Sequence, residues 1–188
     1  FRITPDKVVK TSTMFMDNDK ARFNYTDLGD LQILELPYKG GDVSMLIILP
    51  TDNIDSISIT AEKLGEWKNQ MKEDKLTAIY LPRFEFDTKY YMNEALAALG
   101  MPTAFLDNAD FSGMTGVKNL MIGFVIHQAY IKVDEEGTEA AAATAVGILG
   151  TSMPIRKEFR ADHPFLFVVQ EKETGNILFM GRVVDPTQ

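Results

Sequence analysis

Cysteine is absent from this chain of 188 residues, which excludes disulfide bonds and thiolate catalysis. Basic residues are in the minority, since 19 Lys and Arg stand against 27 Asp and Glu and leave a net charge of −8. This balance, without any basic stripe, argues against nucleic acid and membranes as partners. The longest run of small uncharged residues, Ala140 to Ser152, is also far shorter than the roughly 20 residues that span a bilayer.

Motifs of catalysis and cofactor binding are lacking as well. The chain has two histidines, His127 and His163, but no G-x-S-x-G, H-E-x-x-H, Walker or G-x-G-x-x-G pattern. His127 lies on the apolar phase of a strand pattern, which favours a buried core histidine. Two stretches that begin like calcium loops, within 16–27 and 106–113, lose their oxygen ligands after the first turn and are predicted to be turns. We therefore expect no enzyme activity, no metal site and no cofactor.

The residues that are present indicate a globular protein of mixed α and β structure. Apolar residues make up 45% of the chain and charged residues 24%, the composition of a folded domain. Two apolar runs, Leu31–Tyr38 and Val43–Pro50, flank the Gly40-Gly41 turn and predict a hairpin whose second strand is buried on both faces. Further strands are predicted within 8–16, 75–91 and 120–136 and on either side of a turn at 174–176, and helices within 58–71, capped by Thr60, and within 92–101, closed by Gly100.

The segment "EEGTEAAAATAVGILGTSMP", Glu135 to Pro154, fits no ordinary element. Its alanines favour a surface helix, but an isolated helix this short is marginal in water, and loops of this length are usually functional or disordered. A third interpretation is a chain that changes state, with Gly137 as a backbone pivot. Written as a strand, it places the charge of Glu139 on one face. The other face carries only small residues: Thr138, Ala140, Ala142 and Thr144.

At this point the chain resembles a serpin, a member of the serine protease inhibitor superfamily. "VDEEGTEAAAATA" resembles the hinge region of inhibitory members, and "FRADHPFLFVV" (Phe159–Val169) matches the C-terminal signature. "LPRFEF", "NADFSGM", "HQAYIKVDEEGTEAAA" and the closing "GNILFMGRVVDP" occur in the family's order and spacing, so the resemblance covers essentially all 188 residues. Arg83 stands where many members carry lysine, which keeps the charge.

The resemblance implies an α+β serpin fold, with mixed large β-sheets, helices and an exposed reactive-centre loop at about 135–154. Serpins form one domain of roughly twice this length, so residues 1–188 would be the C-terminal part of a single domain. The N-terminal half, missing from this chain, would be its partner. Without that half, sheet edges and core faces would be bare.

The resemblance further implies inhibition by a suicide-substrate mechanism. Family spacing counted forward from Gly137 and backward from Phe159 places the scissile bond at Thr151-Ser152. A serine protease would attack there and form a covalent complex, while the loop inserts as a new strand of the central sheet. The small residue Thr151 favours elastase-like or subtilisin-like targets, and a shifted cleavage at Leu149 would suit a chymotrypsin-like enzyme.

Three groups of site residues follow from the resemblance. His127 would have a conformational role near the point where the sheet opens. The residues that contact the protease beside the scissile bond would be Ile148, Leu149, Gly150 and Met153. The hinge and inserted residues would be Glu135, Glu136, Gly137, Thr138, Ala140, Ala142 and Thr144.

Two other functions remain open at this level. A non-inhibitory serpin acting as a carrier or chaperone would share the fold, but the hinge lacks the bulky, charged or proline residues that obstruct insertion, apart from outward Glu139. An unrelated module whose alanine run is a surface helix is the other alternative. The resemblance also suggests an extracellular or secreted protein whose signal region lies outside this chain.

Overall fold

The computed structural model describes residues 1–17, 22–135 and 157–188. Their helices are α1 (Ala61–Gln70), α2 (Asn93–Ala98) and α3 (Ser112–Thr115), with 3-10 turns at Ile54–Ser56 and Thr103–Phe105. Their strands are β1 (Arg2–Thr4), β2 (Lys7–Val8), β3 (Thr13–Asp17), β4 (Arg22–Asp27), β5 (Leu31–Pro37), β6 (Val43–Pro50), β7 (Lys72–Lys75), β8 (Ala78–Pro82), β9 (Phe84–Tyr91), β10 (Ile126–Val133), β11 (Glu158–Arg160), β12 (Phe165–Glu171) and β13 (Ile177–Val183). The predicted α+β class is confirmed.

The chain forms two compact units, one made of residues 1–85 and 132–188 and the other of residues 86–131. The first unit is built on a six-stranded antiparallel sheet in the order β13-β12-β6-β5-β4-β7. The predicted β5–β6 hairpin lies at its centre, and all but the first residue of β6 are buried, as expected. Strand β12 lies between β6 and β13, so the end of the chain supplies an interior strand.

The central strands β5, β6 and β12 are covered on both faces, which explains why they are almost continuously apolar. On one face, Leu64 and Trp67 of α1 pack in a cluster with Ile33 and Ile48. Helix α1 begins where the Thr60 hydroxyl accepts a hydrogen bond from the Lys63 amide at 3.2 Å, the predicted cap.

The second face of the sheet is packed with aromatic rings. The Phe84 ring lies 5.5 Å from that of Phe167 and 5.9 Å from that of Phe165, while Phe159 meets Tyr25 edge-on at 6.4 Å. Phe167 stands opposite Gly181 on β13, the position that leaves room for its ring. These rings form the interior of the first unit.

A three-stranded sheet, ordered β11-β8-β3, adjoins this aromatic layer. Strand β11 runs parallel to β8, and β3 runs antiparallel to it. The long strand predicted within 75–91 is wrong in one respect, because it divides at Arg83 into β8 and β9, which belong to different sheets. The Arg83 amide still donates to the Ser12 carbonyl beside β3 at 2.9 Å, whereas the next residue begins β9, which pairs with β10.

Strands β9 and β10, most of whose residues belong to the second unit, form a two-stranded sheet. The strand predicted within 120–136 is shorter than expected, because 120–125 are not in a strand and Asn93 instead contacts the backbone of Gly123 and Val125 at 3.0 and 2.8 Å. Gly100 closes α2 with a φ of 106°, as its position predicts. The 106–113 stretch is a turn that runs into α3, and Asp110 accepts a hydrogen bond from the amide of Ser112, the first residue of that helix, at 3.1 Å.

Candidate functional site: the anchors of the segment between β10 and β11

The loop predicted at about 135–154 begins at an ion pair between Glu135 and Arg83. After β10 ends at Val133, the Glu135 carboxylate lies 2.6 Å from the guanidinium of Arg83. Arg83 itself stands between β8 and β9, and its backbone amide is fixed by Ser12. The start of the segment is therefore held to the point where the chain passes from one sheet to another.

The ion pair shifts the pKa of both Glu135 and Arg83. The hydrogen bond from Arg83 holds the pKa of Glu135 below its usual range, and Glu135 raises the pKa of Arg83 in return. Because both side chains are about half exposed, solvent weakens the pair, and its role is to fix geometry more than to add stability. The carboxylate stays ionised throughout the neutral range.

The chain is held again at Lys157, just before β11. Thr77 donates from its amide and its hydroxyl to the Lys157 carbonyl, at 2.9 and 3.1 Å. The ammonium of Lys157 pairs with Asp74 and lies 4.7 Å above the ring of Tyr25. Two residues later, Phe159 is completely buried, so β11 is fixed from its first residues.

Lys157, Asp74 and Tyr25 form one electrostatic group. The hydrogen bond from Lys157 lowers the pKa of Asp74. Burial, together with the nearby charges of Asp27 and Asp74, raises the pKa of Tyr25 to about 12. At neutral pH the group therefore holds a carboxylate, an ammonium and a neutral phenol.

Of the predicted site residues, Glu135 and His127 lie in the described part of the chain. Glu135 is at the predicted start of the loop, paired with Arg83. The others lie outside the described residues: Glu136, Gly137, Thr138, Ala140, Ala142, Thr144, Ile148, Leu149, Gly150, Thr151, Ser152 and Met153. Their roles therefore stay predictions.

The expectation that His127 is a buried core histidine is wrong. His127 is exposed on β10, and its ring stacks on that of Tyr90 at 6.5 Å. Strands β9 and β10 pair only with each other among the described residues, and most of their side chains outside the first unit are exposed. The apolar phase of the pattern therefore does not lead to burial here, and a conformational role for His127 stays a prediction.

The second histidine has both ring nitrogens in hydrogen bonds. His163 contacts the Asp162 carboxylate through Nδ1 at 2.9 Å and the Pro50 carbonyl through Nε2 at 2.7 Å. Such an arrangement ties the end of β6 to the start of β12. In the described ranges, no three or more acids or histidines are grouped to hold a metal ion, and no helix is long and apolar enough to cross a membrane.

Two contacts could not have been read from sequence spacing. Arg83 and Glu135 are 52 positions apart, and the acid-base pairing depends on the break between β8 and β9. The Lys157–Asp74 pair joins positions 83 apart. In both cases the only sequence signal is an Arg or Lys next to an element boundary, which is too common to select a partner.

Comparison with known proteins identifies the kind of chain that carries these anchors. The model of the family "Serpin (serine protease inhibitor)" matches residues 1–186. The chain is 42% identical over 190 residues to the leukocyte elastase inhibitor of Bos taurus, covering 96% of this chain and 50% of that protein. It is also 42% identical over 192 residues to serpin B3 of Homo sapiens, covering 97% and 48%.

Comparison with solved structures indicates the same family. The structure of uncleaved ovalbumin superposes with a TM-score of 0.84 and 33% identity, covering 99% of this chain and 47% of that one. The chain thus spans about half the length of the curated relatives it matches.

Proposed function

Because the chain belongs to the serpin family, we propose that the full-length protein containing it inhibits serine endopeptidases as a suicide substrate. The proposed scissile bond is Thr151-Ser152, and the proposed partner is a serine protease held as a covalent acyl-enzyme. The protease supplies its own catalytic residues, and this chain supplies the substrate segment and the means of trapping.

The sequence of the hinge carries this proposal. From Thr138 to Thr144 every residue except Glu139 is small and uncharged. A strand with one small uncharged face can enter between existing strands without burying a charge, a cost that would otherwise oppose insertion. The ion pairs on either side, Glu135 with Arg83 and Lys157 with Asp74, support it because they hold the chain before and after the segment that is proposed to insert.

The proposed mechanism uses the length of this segment. After the protease acylates Thr151, the chain from Thr138 inserts as a strand before the acyl-enzyme is hydrolysed. Fourteen residues at roughly 3.3 Å each give a displacement of about 45 Å, which is the scale of a whole domain. The new ladder and the burial of the strand release strain stored in the intact fold.

The target class follows from the residue at the bond. Thr151 is small and uncharged, so a protease with an acidic primary pocket gains little from it. Elastase-like and subtilisin-like enzymes accept such a side chain, and a chymotrypsin-like enzyme would cut after Leu149 instead. The names of relatives that are called elastase inhibitors support the first of these classes.

The remaining half of the domain is the second proposed partner. Along β13, an edge strand, four successive apolar side chains are 45–54% exposed: Ile177, Leu178, Phe179 and Met180. An apolar edge of this kind is unstable in water unless it is covered. A secreted location stays a prediction from the family resemblance.

The proposal is tested on the full-length protein with active proteases. We would incubate it with an elastase-like and a subtilisin-like enzyme and follow the products by denaturing gels and mass spectrometry. An SDS-stable adduct ending at Thr151, together with cleaved inhibitor of raised melting temperature, is the expected result. Cleavage by both enzymes without adduct, giving a product of unchanged melting temperature, would exclude trapping by insertion.

A further inference from the structure

Strand β4 contains the sequence Asn24-Tyr25-Thr26, which has the acceptor pattern for N-linked glycans. It is the one such triplet in the chain. Strand β4 lies next to β7, the last strand of the six-stranded sheet. Because triplets of this kind also occur by chance, the surroundings of Asn24 decide whether it is a usable site.

The geometry of the strand separates the acceptor from the core. Successive side chains of a strand point to opposite faces, so Asn24 and Thr26 share one face and Tyr25 lies on the other. Tyr25 is 4% exposed, whereas Asn24 is exposed and Thr26 is half-buried. Glu73, which stands opposite Asn24 on β7, is exposed as well. Asn24 therefore lies on an open part of the sheet face, where a bulky group meets no core residue.

A buried carboxylate orients the side chain of Asn24. Its Nδ2 donates a hydrogen bond to Oε2 of Glu35 at 2.6 Å, and Glu35 is 8% exposed. The amide of an asparagine carries two hydrogens on this nitrogen. A glycan replaces one of them, and the other remains to donate to Glu35. The contact that fixes Asn24 is therefore compatible with the attachment of a sugar.

We propose that Asn24 is the acceptor of an N-linked glycan. The sugar donor is an oligosaccharide linked to a lipid pyrophosphate, and an oligosaccharyltransferase catalyses the transfer. Nδ2 of Asn24 forms a bond to the anomeric carbon of the first sugar, and the bond from that carbon to the pyrophosphate oxygen breaks. The lipid pyrophosphate leaves, and Nδ2 gives up one proton to a base of the transferase. The proposal goes beyond protease inhibition and rests on the predicted secreted location, because such acceptor sites are used in secreted proteins.

The test maps the modification on full-length protein that is secreted from mammalian cells behind a signal peptide. These cells supply the transferase and the sugar donor. The peptide that contains Asn24 is analysed by mass spectrometry before and after treatment with peptide-N-glycosidase F. The expected result is a glycan that the enzyme removes, leaving aspartate at position 24. Thr26→Ser keeps the acceptor pattern and should keep the glycan.

Thr26→Val provides the matched loss of the acceptor. Valine has nearly the shape of threonine but no hydroxyl, so this variant should lose the glycan completely while the contact between Asn24 and Glu35 stays in place. Both proteins made in bacteria, where neither carries the glycan, should melt at the same temperature, which separates loss of the acceptor from loss of the fold. Asn24→Gln keeps an amide and should also lose the glycan.

The mass of one peptide decides the outcome, whether or not the protein inhibits a protease. An unmodified Asn24 in the secreted wild type would overturn the proposal, and so would equal glycosylation of wild type and Thr26→Val. The full-length protein expressed with its own N-terminus should carry the same glycan. An unmodified protein that stays inside the cell would overturn the proposal as well. An occupied Asn24 would also show that the N-terminal half of the domain leaves this face of the sheet open.

Discussion

Replacing Gly181 with alanine should destabilise the protein, although the same change is usually favourable in a strand. A Cβ at this position would lie 2.7 and 2.8 Å from two atoms of the Phe167 ring. Ordinary contacts begin near 3.4 Å, so the ring would have to retreat by about 0.7 Å. Phe167 is buried against Phe84, which leaves it little room to do so.

The magnitude follows from two opposing effects. Overpacking of this kind costs about 1–3 kcal/mol, and the smaller backbone entropy of alanine returns about 0.5–1 kcal/mol. The net loss is therefore about 0–2.5 kcal/mol, which lowers the melting temperature. Gly65 of α1 is the matched control, because a Cβ there meets nothing within 4 Å. Gly65→Ala should stabilise the helix by up to about 1 kcal/mol.

Differential scanning fluorimetry of the full-length variants measures both effects. A double variant that combines Gly181→Ala with Phe167→Leu should recover part of the loss, since the ring atoms that cause the clash are removed. A melting temperature for Gly181→Ala at or above that of the wild type would refute the packing argument. A double variant whose two losses simply add would do the same.

Three further predictions concern the loop and its anchors. If the proposed function holds, Thr138→Arg should convert the full-length protein from an inhibitor into a substrate, because a charge would have to enter the sheet. Glu139→Arg on the opposite face should leave the proposed trapping intact. Undiminished adduct from Thr138→Arg on denaturing gels would contradict insertion. Because Arg83 lowers the pKa of Glu135, their pair contributes above the ordinary carboxyl pKa and is lost as the pH falls through the lowered value. Arg83→Gln should therefore speed hydrogen exchange beside Glu135 at neutral pH but not at a pH low enough to protonate Glu135, and an equal effect at both would exclude the ion pair as the cause. The pKa of Tyr25 is raised from 10.0 to about 12, so its neutral form contributes stability that is complete below pH 10 and is lost as the pH rises toward 12. Tyr25→Phe should therefore remove one tyrosine that ionises late in an ultraviolet titration.

Local signals predicted the elements that depend on neighbouring residues. The Gly40-Gly41 turn, with φ angles of 94° and 83°, closes the hairpin between β5 and β6. Thr60 begins α1, because the amide of the third following residue needs an acceptor that the helix itself does not provide. In these places the residues that determine the local structure are only a few positions apart, so a local sequence pattern is enough to predict it.

Other features depend on where strands meet, which the sequence pattern does not encode. The alternation of apolar residues continues through Pro82 and Arg83, yet the strands on either side belong to different sheets. Tyr80 lies opposite Phe15, which is 65 positions before it, and opposite Arg160, which is 80 positions after it. Such contacts follow from register in three dimensions, and composition gives no means of choosing these partners over others.

The interior position of β12 has a consequence for a chain that is cut. Cleavage between Thr151 and Ser152 would leave a C-terminal peptide that holds β12 and β13 but no covalent link to β6. This peptide pairs with β6 along six positions and places Phe165 and Val168 fully in the core. A nicked molecule would therefore stay whole in native gels while giving two bands after denaturation. The two pieces would behave as a split protein held together by strand complementation.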